Sequence, residues 1–268
     1  MSLGLESPPT GLAAIVRGKQ SRPPRVLLYG SEGIGKSTFG EGCPNPIFVP
    51  TEDGLDEIES AKFPKCNTYQ EVCDNLDILI VEKHDFQTVV IDTADWTETL
   101  IHKEVCRRDS KPSIELCAGG FGKGYGVALD LWREILSRLD VLRDRGMVTV
   151  LLAHANVSRF EDPDQSVSYD RYTLKLNDSK KFSSSALICE WCDAVLFATR
   201  KVLVKTESKK VGNETKIRGI AVSLGGDESS RIIRPYGSPS AVAKNRYGIN
   251  KEIPLSWSAF VEAIAAAK

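Results

Sequence analysis

The chain has 268 residues, 41% hydrophobic and 26% charged, with 35 Lys+Arg against 36 Asp+Glu for a formal net charge of −1. That size supports one large α/β domain or two small ones, and the charge balance leaves any nucleic-acid contact to a local basic surface rather than the whole-molecule field. No stretch approaches the roughly 20 apolar residues of a membrane helix, and the N-terminus lacks the apolar segment of a signal peptide, so a cytoplasmic protein without a membrane partner is expected.

Residues 1–20, including "ESPPTG", read as an N-terminal arm, and "SRPP" punctuates the join to a core spanning 21–250. The core opens on a buried strand, Val26-Leu27-Leu28-Tyr29, followed by "GSEGIGKSTF" with the spacing G-x-x-x-x-G-K-[S/T]. A glycine-rich turn entering a helix offers backbone N–H groups and the positive end of the helix dipole to phosphate oxygens. Gly30, Ser31, Glu32, Gly33, Ile34, Gly35, Lys36, Ser37 and Thr38 form this candidate nucleotide cradle, with Lys36 reaching the β- and γ-phosphates and Ser37 ligating Mg²⁺.

Next comes Ile47-Phe48-Val49, a short strand, with Glu52 just beyond it at the edge where open α/β sheets bind ligands. A carboxylate there can activate water, although Glu52, Asp53, Asp56 and Glu57 equally suit a solvated loop and helix start. "TVVID" is a second buried strand whose terminal Asp92 suits the Mg²⁺ shell; the plain alternative is a helix cap. Glycine-rich "CAGGFGKGYG" precedes an amphipathic helix from about Val127 to Arg145, and "MVTVLLAH" gives another buried strand with His154 and Asn156 after it.

"AVLFATRKVLVK" reads as a strand leading through the turn "VGNET" into "KIRGIAVSL", so the sheet is expected to finish in antiparallel hairpins. Lys244 and Arg246 in "AKNRYG" fall on one side of an extended segment and could meet a phosphate together or form a solvated pair. Residues 251–268 are expected to hold a C-terminal helix. The seven cysteines are scattered, which fits reduced thiols; Cys189 and Cys192 read as half-buried strand thiols rather than a zinc site. Near-continuous apolar strands separated by helices give an α/β fold with a mainly parallel sheet covered on both faces.

In order, "LLYGSEGIGKSTF", "FVPTEDGLD", "VVIDTADW", "LLAHANV" and "AKNRYG" resemble the RecA-like P-loop ATPases, most closely the AAA-type, phage-encoded RecA-like proteins associated with single-strand annealing and recombination. The resemblance implies ATP and Mg²⁺ as ligands, Glu52 as the catalytic base and His154 as the γ-phosphate sensor, where the family commonly has glutamine. It also implies that Lys244 and Arg246 act across a subunit boundary, hence a homo-oligomer, ring or filament, with ATP between protomers.

DNA-binding segments then correspond to 117–126, with Phe121, Lys123 and Tyr125, and to a loop over about 157–184. The second segment holds Arg159, Arg171, Lys175, Lys180 and Lys181 among aromatics, diluted by several carboxylates. Single-stranded DNA, and a single-strand-binding protein that loads the chain, are the implied partners. Two further readings stand beside this one: a small-molecule phosphotransferase with 157–184 as a lid, and an ATP-dependent assembly protein without a DNA role.

Overall fold

The computed structural model describes residues 11–15, 17–18, 20, 22–211, 214–223 and 230–267. The first ten residues of the expected arm, and Gly212 and Asn213 of the "VGNET" turn, lie outside the described residues. In chain order the main elements begin with β1 (Arg25–Gly30), α1 (Lys36–Glu41), β2 (Pro46–Pro50), β3 (Ala61–Lys62), α2 (Tyr69–Val81), β4 (Thr88–Asp92), α3 (Ala94–Asp109) and α4 (Lys123–Asp144). They continue with β5 (Val148–Phe160), β6 (Tyr169–Leu174), α5 (Ser184–Trp191), β7 (Ala194–Arg200), β8 (Val202–Val211) and β9 (Glu214–Ser223). Last come β10 (Arg231–Arg234), β11 (Lys244–Asn245), β12 (Ile253–Pro254) and α6 (Trp257–Ala266).

The main sheet runs β12-β10-β7-β1-β5-β4-β2-β3. Strands β7, β1, β5, β4, β2 and β3 are mutually parallel, and β10, β11 and β12 add antiparallel pairings at one side. This is the α/β architecture with a mainly parallel sheet and antiparallel C-terminal strands expected from the sequence. Alternation along each central strand splits the core in two. Leu27, Tyr29, Ile91, Leu151 and Phe197 face α2, α3 and α4, whereas Val26, Leu28, Val90, Val150 and Leu196 face α1 and α6. Trp132 of α4 and Phe260 of α6, each fully buried, anchor the two layers.

Four details differ from the sequence reading. The β8–β9 hairpin is a separate two-stranded sheet, because the chain breaks at Lys201 where one continuous strand was expected. Residues 157–184 are not a loop: β5 runs on to Phe160 and pairs antiparallel with β6, from Ala155↔Leu174 to Phe160↔Tyr169. Alternating side chains and a tight turn at Asp162–Asp164 permit that ladder, and Asp162 Oδ1 accepts the Asp164 N–H at 3.1 Å. Cys189 sits within α5 and Cys192 at its C-terminal cap, so neither is a strand thiol; Ser183 caps the helix by accepting the Ala186 N–H at 2.8 Å. Finally, α4 starts at Lys123, a turn earlier than Val127, since Gly124 packs so closely that a Cβ there would lie 2.2 Å from the Ile114 carbonyl oxygen. After residue 250 the chain first contributes β12 to the main sheet and then forms α6, whose Trp257 meets Phe39 edge-on at 5.8 Å.

Candidate active site

Strands β1 and β4 end side by side with the middle of β5, Gly30 opposite His154 and Asp92 opposite Leu152. The turn after β1 needs its glycines. A Cβ on Gly30 would lie 2.6 Å from the Ala198 carbonyl oxygen, and Gly35 caps α1 at φ 109°, where a side chain is strained. Ser37 Oγ donates to Asp92 Oδ2 at 2.7 Å, joining the start of α1 to the end of β4. Lys36 is buried, and its Nζ donates to the Ser31 carbonyl oxygen at 3.1 Å and, at the limit, to that of Gly30 at 3.5 Å.

Glu52 is held beside Asp92 by Thr51. The Thr51 N–H donates to the Asp92 carbonyl oxygen at 2.8 Å, while its hydroxyl donates to the Thr93 carbonyl oxygen and accepts the Thr93 N–H. His154 lies across from it: Nε2 is 4.0 Å from Glu52 Oε1, and Nδ1 is 2.9 Å from Asp95 Oδ2. Lys36, Ser37, Glu52, Asp92 and His154 line a cavity of about 530 Å³ together with Glu32, Gly33, Asp53, Trp96, Lys175 and Arg231, a volume in the range of small-molecule sites.

Burial shapes the charges. Desolvation pushes the Asp92 carboxyl up, against the Ser37 hydrogen bond and the Lys36 charge, and pushes the Lys36 ammonium down. It also raises Glu52, helped by Asp92 and Asp95 and opposed by His154 and Lys36. Burial acts to raise Asp95 too, but hydrogen bonds from the His154 ring and backbone outweigh it and hold that carboxyl low. Asp92 and Lys36, perturbed in opposite directions by the same burial, thus line one cavity.

The remaining candidate residues divide sharply. Lys244 and Arg246 are at the opposite, amino edge of the sheet, where β11 pairs with Ala194 and Val195 of β7. That is roughly 10–13 Å along the strands from the level of Gly30, and both side chains turn to the Glu190 carbonyl oxygen, each at 3.4 Å, so neither lines this cavity in the same chain. Arg246 instead approaches Asp193 Oδ1 at 3.4 Å. Asn156 is exposed on β5, opposite Thr173.

Phe121 is 97% exposed at the tip of the turn before α4, and Lys123 is exposed beside it, whereas Tyr125 turns inward and donates to Glu115 Oε1 at 3.1 Å. Arg159 pairs with Asp170, Arg171 lies over Phe160 at 5.0 Å, and Lys180 and Lys181 are exposed. Lys175, read as part of a DNA loop, lines the cavity. Asp95, Trp96 and Arg231 escaped the sequence reading. Asp95 carried a signal, standing three residues after Asp92 in the first turn of the following helix; Arg231 comes from a distant strand and carried none.

A phosphate-binding turn on β1, a buried Ser–Asp pair and a carboxylate on the next strand, all at the carboxyl edge of a parallel sheet, define a P-loop nucleoside triphosphatase domain. The match to the family described as AAA domain covers residues 22–247, and the chain belongs to that family. It is also similar to the SPbeta prophage-derived uncharacterized protein YorG of Bacillus subtilis (strain 168), 24% identical over 137 residues, which are 48% of this chain and 40% of that protein. The chain thus spans less than half the length of that relative. Among the described residues, no helix is long and apolar enough to cross a membrane.

Proposed function

We propose that the chain binds ATP with Mg²⁺ and hydrolyses it as a RecA-like enzyme acting on single-stranded DNA during annealing or recombination. The convergence of Lys36, Ser37, Glu52, Asp92 and His154 on one cavity carries the ATPase reading. The cavity fits the ligand: a Cβ at Gly33 would meet nothing within 4 Å, and Asp92 is a buried carboxylate whose nearest partner is a neutral hydroxyl. Ser37 and Asp92 would hold Mg²⁺, which supplies positive charge to phosphate oxygens when bound.

Lys36 and the turn amides would bind and orient the phosphates. Glu52, made more basic by burial, would take the proton of the attacking water, with His154 facing the same space. Arg246 and Lys244 of a neighbouring protomer would stabilise charge on the transferring group, since their own cavity is out of reach.

The β5–β6 hairpin would carry the nucleotide's state to DNA. Its return strand is tied to His154, whose carbonyl oxygen accepts the Lys175 N–H at 2.9 Å. Further along, Glu98 of α3 accepts the Asn177 N–H at 2.7 Å and the Ser184 hydroxyl. Exposed Phe121, with Lys123, Arg159, Lys180 and Lys181, offers a ring for base stacking and cations for phosphates. The prophage origin of the relative adds support to a phage setting, with its host's cytoplasm as the place of action.

ATP hydrolysis by wild type, Arg246→Ala and Glu52→Gln, alone and mixed, tests this reading across protein concentration and with or without single-stranded DNA. A rate that rises with concentration and DNA, falls in both variants and partly recovers on mixing is expected. A rate per protomer that is flat with concentration, indifferent to DNA and untouched by Arg246→Ala would overturn the shared-site, DNA-linked reading in favour of a small-molecule enzyme.

A further inference from the structure

We propose that Asp95 is the positioning residue that fixes the tautomer and aim of His154, so that the imidazole presents Nε2 to the space it shares with Glu52. The inference rests on the ATPase reading above and assigns a role within that site.

The fold creates the need for such a residue. Strand β4 stops at Asp92, opposite Leu152, two residues short of His154 on the neighbouring strand. The chain then turns into α3, and the first turn of that helix occupies the position a longer strand would have filled. Asp95 supplies the acceptor there: Oδ1 takes the His154 backbone N–H at 3.0 Å. The same carboxylate faces the ring, with Nδ1 at 3.2 Å from Oδ1 and 2.9 Å from Oδ2. Backbone and ring are therefore clamped by one group, and both side chains are nearly enclosed, at 11% and 6% exposure.

An ionised carboxylate only accepts hydrogen bonds, so Nδ1 must carry a proton. In the neutral ring Nε2 is then an acceptor. It points toward Glu52 Oε1, but at 4.0 Å the two do not bond directly; a water can bridge two acceptors at this separation by donating to both. Nε2 and the Glu52 carboxylate thus flank the same small space, where an attacking water would be oriented by two acceptors. A ring with the other tautomer would present a donor and compete for Glu52 instead.

Asp95→Asn keeps the shape but can donate from its amide to Nδ1, releasing the tautomer. The first measurement is the ring-nitrogen ¹⁵N shift of His154 in nucleotide-free protein, recorded at increasing pH until the signals of the neutral ring no longer change. His154→Gln identifies the signal among the three histidines. Wild type is expected to show the Nδ1–H tautomer and Asp95→Asn the Nε2–H tautomer.

In turnover, Asp95→Asn is expected to lower kcat by about tenfold or more with KM for ATP held within about threefold. In a His154→Gln background, where the side chain has no tautomers, the same change is expected to cost less than about twofold. An Nε2–H tautomer in wild type, no tautomer change in Asp95→Asn, or an equal loss in both backgrounds would each overturn the proposal. Wild type without ATPase activity would strike the hydrolysis reading instead, and the nitrogen shifts would still decide the role of Asp95.

Discussion

At the amino edge of the central strands, Asp193 meets Arg25 at 3.1 Å, Arg143 at 2.8 Å and Arg246 at 3.4 Å. At the carboxyl edge of the same sheet, Asp92 has a serine hydroxyl as its nearest partner and Glu52 lies 4.0 Å from a histidine. Both edges bury carboxylates, yet the consequences are opposite. At Asp193 burial works to raise the carboxyl, and the Arg25 bonds and charge followed by Arg143 outweigh it. At Asp92 burial wins. A buried carboxylate paired with several guanidinium groups ties the fold together, whereas one bonded to a neutral hydroxyl keeps the cost of its burial.

The sharpest way to break this contrast is at Glu52, where Glu52→Gln should lower kcat by about 10²–10⁴-fold while nucleotide binding, followed by fluorescence titration, changes little. Unchanged turnover would remove the base from the site. Next in size is Asp193→Ala, which removes the carboxylate shared by two nearly buried guanidinium groups, leaving Arg25 with Asp140 and Arg143 with the Pro23 carbonyl oxygen, and should cost about 3 kcal/mol in urea unfolding. Because the folded pKa of Asp193 lies below its ordinary 3.8, its contribution is present above that value and lost as pH falls through the lowered folded value. Acid titrations of wild type and Asp193→Asn should converge there.

Asp92→Asn should behave the other way. With the buried charge removed and an amide oxygen still able to accept from Ser37, the nucleotide-free protein should be unchanged or steadier by about 1 kcal/mol. Mg²⁺·ATP is expected to raise the Tm of wild type and not that of this variant; a destabilised variant that still responds to Mg²⁺·ATP would erase the distinction between the two edges. The smallest effect is expected at Arg246, 57% exposed: Arg246→Ala should shift stability by no more than about 1 kcal/mol. A larger loss would make Arg246 a structural partner of Asp193 rather than a group held ready for a neighbour.

The parallel core was legible because its strands are short apolar runs bounded by turns, and the phosphate cradle because its glycines and Lys36-Ser37 have a fixed spacing. The β5–β6 hairpin was not. Its strands are polar enough to pass for loop, and ladder pairing depends on register between segments that periodicity alone does not relate. Cys189 misled in the same way, since "SSSALICEW" is too short to show a helical period, and its Ser183 cap is recognised only once the turn is formed.

Within the site, Lys36 and Ser37 could be placed from the spacing of the glycine-rich turn and Asp92 from its strand end, whereas local pattern left Glu52 open and its role came from the resemblance. Asp95 as the partner of His154, Lys175 and Arg231 as cavity residues, and the confinement of Arg246 to the far edge required strand order. The sequence by itself determined which residues are buried in strands and which turn can cradle phosphate, because burial alternation and glycine spacing are properties of a few neighbouring residues. Only the tertiary structure decided which carboxylate meets which cation, since those distances depend on how strands far apart in the chain lie side by side.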